Sequence, residues 1–123
     1  MLTLAVLALS AAVVAGAMLA LRHLQPDTQR RPLPGWMAIA HGAVGALGLG
    51  AMLIVLRGPP RGLGTGTASF GWTAAVLLTG ALCAGLALPL LRRSRLLSPA
   101  VIVVHGAVAV TGYAIFLAWS AFD

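Results

Sequence analysis

Residues Trp36–Leu56 read WMAIAHGAVGALGLGAMLIVL, a stretch with no charge and one ionisable side chain, His41. Its four glycines, Gly42, Gly45, Gly48 and Gly50, would each cost a water-exposed helix about 1 kcal/mol relative to alanine. In hydrocarbon the balance reverses, because every unpaired backbone amide or carbonyl costs several kcal/mol and only a helix pairs them all within one segment. At about 1.5 Å per residue the stretch is long enough to cross the roughly 30 Å of bilayer hydrocarbon. Three more uncharged runs have the same character: Met1–Leu21, Ala68–Leu91 and Pro99–Phe122. Four runs of this length are too long for barrel strands, so an all-α, integral membrane four-helix bundle follows, with residues 1–123 as one transmembrane domain.

Composition agrees. Of the 123 residues 60% are hydrophobic and 8% charged, against about 45–50% and 25% in soluble domains, so too little polar surface is present to cover a water-soluble fold. All eight basic residues are Arg, opposed by Asp27 and Asp123 for a net +6. Each Arg lies in a short connection beside an apolar run, which is where topology charges sit and is unlike the polar, aromatic-laced patches of nucleic-acid binders. Cys83 is the only cysteine; it reads as a small buried packing residue. Met1–Leu21 lacks the basic start of a secretory signal and its first Arg comes at position 22, so it reads as a retained first helix.

The connections are short. Arg22–Gly35 holds Pro26, Pro32 and Pro34; Arg57–Thr67 reads RGPPRGLGTGT; Arg92–Ser98 reads RRSRLLS, with Ser98 and Pro99 forming a cap and first-turn proline. Such links force antiparallel neighbours and an up-down-up-down order. Arg22, Arg30, Arg31, Arg92, Arg93 and Arg95 fall in the first and third connections, Arg57 and Arg61 in the second. The positive-inside rule then makes the first and third loops cytoplasmic and both termini periplasmic. Abundant Ala, Gly and Arg with no Lys suggests a GC-rich bacterial genome, and with the four spans the expected location is a bacterial inner membrane.

The two halves of the chain resemble each other. Ala15-Gly16-Ala17 parallels Ala84-Gly85-Leu86, and the run from Pro34 through His41-Gly42 parallels that from Pro99 through His105-Gly106. This is a tandem hairpin repeat, a form of internal symmetry common among membrane folds.

His41 and His105, with Cys83 and Tyr113, are the only ionisable side chains in the four spans. Ionisable groups in a membrane are rare, face the bundle interior and are functional by default. Both histidines lie roughly 8–9 Å inside the cytoplasmic edge by helical rise, on helices expected at opposite corners of the bundle. A diagonal of roughly 11–14 Å, from axes about 8–10 Å apart, can be bridged by two inward imidazoles and a metal between them. On the same helical faces follow Gly45 and Gly48 after His41, and Ala109 and Gly112 after His105. With Gly42 and Gly106 these small residues would leave a bed for a porphyrin, whose iron accepts neutral imidazole as axial ligand.

On these two His-Gly pairs the chain resembles the small b-type membrane cytochromes, in which paired histidines on facing helices of a four-helix bundle clamp haem. The ferric-reductase-like members carry four histidines for two haems, whereas this sequence offers one pair. The resemblance implies a single haem b held by His41 and His105, an electron-transfer role, quinone as a candidate electron partner, and docking to other membrane subunits or a second copy within a redox complex. A stand-alone enzyme is not implied, since no acid/base pair, nucleophile triad or CxxC is present.

Two other readings compete. In a structural accessory subunit the histidines would bond Ser10, Thr73, Thr79, Thr111 or a backbone carbonyl, each contact contributing about 1 kcal/mol or less. Half of a small transporter would need a more polar cavity than two imidazoles line. His23 reads as headgroup-facing, Trp36, Trp72, Trp119 and Tyr113 as interfacial anchors, and Gly80, Gly85 and Cys83 as a small packing side of the third helix. GLGTG at Gly62–Gly66 follows no strand and is not a nucleotide loop. The charge asymmetry predicts that alkaline phosphatase fused after residue 123 is active and the same reporter inserted at residues 94–98 is silent; the opposite pattern would invert the topology.

Overall fold

The computed structural model describes residues 1–25, 34–61, 66–93 and 99–121. They form four helices, α1 (Leu2–Leu24), α2 (Gly35–Leu56), α3 (Ala68–Arg93) and α4 (Pro99–Ser120). Arg30, Arg31, Arg95, the Ser98 cap and residues 62–65 of the glycine-rich loop lie outside the described residues. Each helix is long and apolar enough to cross a membrane, consistent with a multi-pass membrane protein.

The helix ends differ from the uncharged runs by a few residues. α1 continues through Arg22 and His23 to Leu24, since a basic side chain in the last turn suits the helix dipole and can reach back to the headgroups. α4 opens on Pro99 at its first position, where the missing amide costs nothing. α2 closes with the Gly58 amide donating to the Val55 carbonyl at 3.0 Å before Pro59 and Pro60. Gly66, at φ +71°, makes the left-handed turn into α3 that a side chain would resist.

α1 pairs most extensively with α2 and α3 with α4, and the hairpins meet through α1 with α4 and α2 with α3. Around this ring α2 and α4 are diagonal. Packing is inside-out relative to a soluble protein: among the described residues seven of the thirteen buried apolar side chains are alanine, while Leu7, Ile39, Leu47, Val76 and Leu86 are more than half exposed. Such an exterior has no place in water and is what lipid-facing helices present. Helices come together where glycine lets them. A Cβ on Gly48 would stand 2.8 Å from Leu9 Cγ and 2.9 Å from the Leu9 backbone nitrogen; one on Gly112 would stand 3.1 Å from Leu78 Cγ.

These two contacts are the same contact. Leu9 and Leu78 are 69 residues apart, Gly48 and Gly112 are 64 apart, and the offsets match those of the sequence repeat. Met52 and Phe116, also 64 apart, are the largest fully buried side chains among the described residues and hold equivalent places in one core. That core, with Leu49 and Trp119, fills the half of the bundle remote from the first and third connections.

Several hydroxyls cap carbonyls of their own helix: Ser10 donates to Val6, Thr73 to Ser69 and Thr79 to Ala75, the usual satisfaction of a hydroxyl in lipid. Ser10 also meets the Tyr113 hydroxyl, tying α1 to α4 across the hairpins. Two sequence expectations change here. Tyr113 is half-buried and Trp119 is 2% exposed, against Phe116, so neither is an interfacial anchor; the phase of α4 turns both inward. Trp36 and Trp72 are exposed as anchors should be. Cys83 is also exposed, so it is not a core packing residue: α3 turns it outward while Gly85 faces α4.

Overpacking a tight helix crossing costs about 1–3 kcal/mol. Gly48→Ala is therefore expected to destabilise the bundle by about that amount in reversible SDS unfolding, and Gly50→Ala, with nothing within 4 Å of its added Cβ, by less than about 0.5 kcal/mol. Tyr113→Phe removes one interhelical hydrogen bond and is expected to cost about 0.6 kcal/mol by the same measurement.

Candidate cofactor site

His41 stands near the start of α2 and His105 near the start of α4, each one turn and a half into its helix. Because α2 and α4 run in the same direction, both imidazoles arrive at one level. They also arrive together: the ring centroids are 6.4 Å apart and the planes cross at 85°. The pair closes within one chain.

Each ring is seated on the other helix of its own hairpin. His41 Nδ1 lies 3.0 Å from the Ala12 carbonyl oxygen. A carbonyl only accepts, so Nδ1 carries the proton, and in the neutral ring Nε2 is left with a lone pair. The His105 ring lies beside the Ala81 carbonyl, but its buried Nδ1 has no partner within hydrogen-bonding distance. Ala12 and Ala81 are 69 residues apart, as the repeat requires.

Beneath each ring is a glycine. A Cβ on Gly16 would stand 2.8 Å from His41 Cε1 and 3.4 Å from both ring nitrogens; one on Gly85 would stand 3.1 Å from His105 Cε1 and 3.8 Å from both nitrogens. In both copies the glycine is equidistant from Nδ1 and Nε2, so the two rings sit at the same attitude. Gly16 and Gly85, with the Ala12 and Ala81 carbonyls, are site components that helical-face reasoning on α2 and α4 missed. The parallel of Ala15-Gly16 with Ala84-Gly85 was the signal that pointed to them.

The other expected residues divide. Gly42 and Gly106 have nothing within 4 Å of a virtual Cβ. Gly45 rests on Ala12 at ordinary contact distance, Gly48 takes Leu9 and Gly112 takes Leu77 and Leu78; Ala109 is half-buried. A porphyrin reaching as far as Gly48 or Gly112 would have to displace those leucines. Ser10, Thr73 and Thr79 bond elsewhere and Thr111 is exposed.

The donor set is narrow in what it can hold. Among the described residues no group of three or more His, Cys, Asp or Glu comes together, so the pair falls short of the four ligands of a structural zinc. Two imidazoles do complete a metal whose other four ligands come from a macrocycle. With metal–nitrogen bonds of about 2.0–2.1 Å on each side, two axial imidazoles place their ring centroids roughly 6–6.5 Å apart, and the spacing here falls in that range. The centroid spacing is the one that two such imidazoles would take.

Fold and site together define a four-helix membrane bundle with a paired-imidazole centre. Comparison with protein-family models, curated proteins and solved structures finds no match to the chain.

Proposed function

We propose that this chain is a membrane electron-transfer subunit that holds one haem b between His41 and His105. The observation that carries the reading is the imidazole pair itself, at 6.4 Å on diagonal helices, with His41 already donating Nδ1–H to a backbone carbonyl. Iron-ligating histidines characteristically donate their second nitrogen in this way, which fixes the tautomer and raises the basicity of the ligating one. Haem, when bound, supplies reversible one-electron chemistry whose potential the protein sets through ligands, burial and hydrogen bonding.

The rest is the work of the chain. Ala12 orients His41, the Ala81 carbonyl stands ready for His105, and the apolar helices keep water from the pair. Electrons would pass to and from other membrane subunits, a second copy or quinone, and the Arg-rich connections would put the centre near the cytoplasmic face of a bacterial inner membrane.

One observation favours a second reading. Imidazoles at this distance and angle also make a sound edge-to-face contact, and the Ala12 bond satisfies His41 without a metal, as in an accessory subunit that only packs.

The test is a dithionite-reduced minus oxidised absorption spectrum of the detergent-purified protein, expressed with ample haem, beside His41→Ala and His105→Ala. Electron transfer through a bis-histidine centre predicts sharp low-spin bands that either substitution abolishes. A folded, colourless preparation would leave the packing subunit.

A further inference from the structure

Each histidine of the pair is matched by a glycine on the partner helix of its hairpin, in the same relation twice. Small residues at helix contacts ordinarily serve backbone approach, and Gly48 and Gly112 do that, against leucine side chains and, for Gly48, the Leu9 backbone. Gly16 and Gly85 are different. The nearest atoms to their absent Cβ belong to an imidazole, with Cε1 first and the two ring nitrogens equidistant behind it.

A Cβ at Gly16 would stand 2.8 Å from the ring, well inside van der Waals contact. The ring is the far end of a side chain with two torsions and is the part that must move. Moving it breaks what it holds, the Nδ1 bond to Ala12, whose carbonyl lies one turn before Gly16 on the same helix. The second hairpin repeats the residues, with Ala81, Gly85 and His105 in place of Ala12, Gly16 and His41, and the glycine lies beneath the ring in the same way, but His105 Nδ1 makes no hydrogen bond.

We propose that Gly16 and Gly85 are positioning residues for the histidine pair. Each withholds a Cβ from the place its imidazole occupies. At His41 this keeps the ring on the Ala12 carbonyl and holds the Nδ1–H tautomer that presents Nε2 as the lone-pair nitrogen. In the first hairpin the unit is a carbonyl and a glycine one turn apart on one helix, gripping a histidine of the next. The proposal deepens the reading of the pair as an axial ligand set, but its geometry belongs to the protein alone and can be tested without haem.

The experiment is a two-bond proton–nitrogen correlation spectrum of the full-length chain, labelled with nitrogen-15 histidine in detergent micelles. Recording at about pH 8.5 keeps the rings neutral, since free imidazole titrates near 6.5. Signals are assigned from their loss in His41→Ala and His105→Ala. The wild type is expected to show Nδ1–H at His41. In Gly16→Ala the ratio of Nδ1–H to Nε2–H at His41 falls roughly tenfold, the loss of one hydrogen bond's preference, while His105 is unchanged. Gly85→Ala leaves His41 unchanged and shifts the ring signals of His105, whose Cε1 the added methyl meets at 3.1 Å. Gly50→Ala and Gly80→Ala, with nothing near the added methyl, move neither ring.

If Gly16→Ala fails to fold, Gly85→Ala still tests the seating of the ring, because its Cβ comes no nearer than 3.1 Å to it and must move the His105 signals. An Nε2–H ring at His41 in the wild type, or ring signals unmoved by both alanines, overturns the proposal. Haemin titration of the same samples separates it from the functional reading. A wild type that takes up no haem but shows the tautomer response defeats the cytochrome and leaves the positioning role standing. A wild type that gives a low-spin spectrum, with both alanine variants identical to it in tautomer and spectrum, does the reverse.

Discussion

Helices in lipid gain nothing from hiding apolar side chains from one another, because the surrounding chains are as apolar as leucine. What holds them together is close contact, and close contact requires that something be missing from one surface where the other presses in. In this chain the missing element is a side chain at four matched points. Leu9 enters at Gly48, Leu78 at Gly112, His41 lies on Gly16 and His105 on Gly85. Two of these contacts join apolar atoms and two seat the only histidines of the bundle interior, so one packing device builds both the core and the candidate site.

That device also explains where the residues are large. The interior is alanine-rich because the helices approach closely, and many bulky aliphatic side chains, Leu7, Ile39, Leu47, Val76 and Leu86 among them, are turned outward. The one bulky region, around Met52, Phe116 and Trp119, lies at the end away from the histidines. The bundle is thus filled with side chains at one end and built from glycine and alanine at the other, where the imidazoles meet.

The fold was legible because its signal is one of energy on a large scale: an uncharged run of twenty residues has one stable conformation in hydrocarbon. The histidine pair was legible for the same reason, since an ionisable group in such a run stands out. Which way a side chain faces was less so. Trp119 is three residues from Phe116 and seven from Gly112, so its helical phase turns it inward whatever its distance from the helix end, and counting from the end placed it at the interface. Cys83 was misplaced because small size suggests burial, although lipid accepts a thiol as readily as a core does. Gly16 and Gly85 were visible only as members of a repeat. Their role depends on the neighbouring helix, and periodicity within one segment cannot report on that.

The duplication bears on how the molecule comes together. Every contact that seats a histidine is internal to one hairpin, between a helix and the next one made. The first hairpin can therefore complete its glycine contacts as soon as α2 has followed α1 into the bilayer, before any of α3 exists. What must wait is whatever crosses between hairpins: the Ser10–Tyr113 hydroxyl contact, 103 residues apart in sequence, and the approach of the two imidazoles. Assembly in the order of synthesis then builds two half-sites, each with its histidine lying on its glycine. The joining of the hairpins is the step that turns them into one.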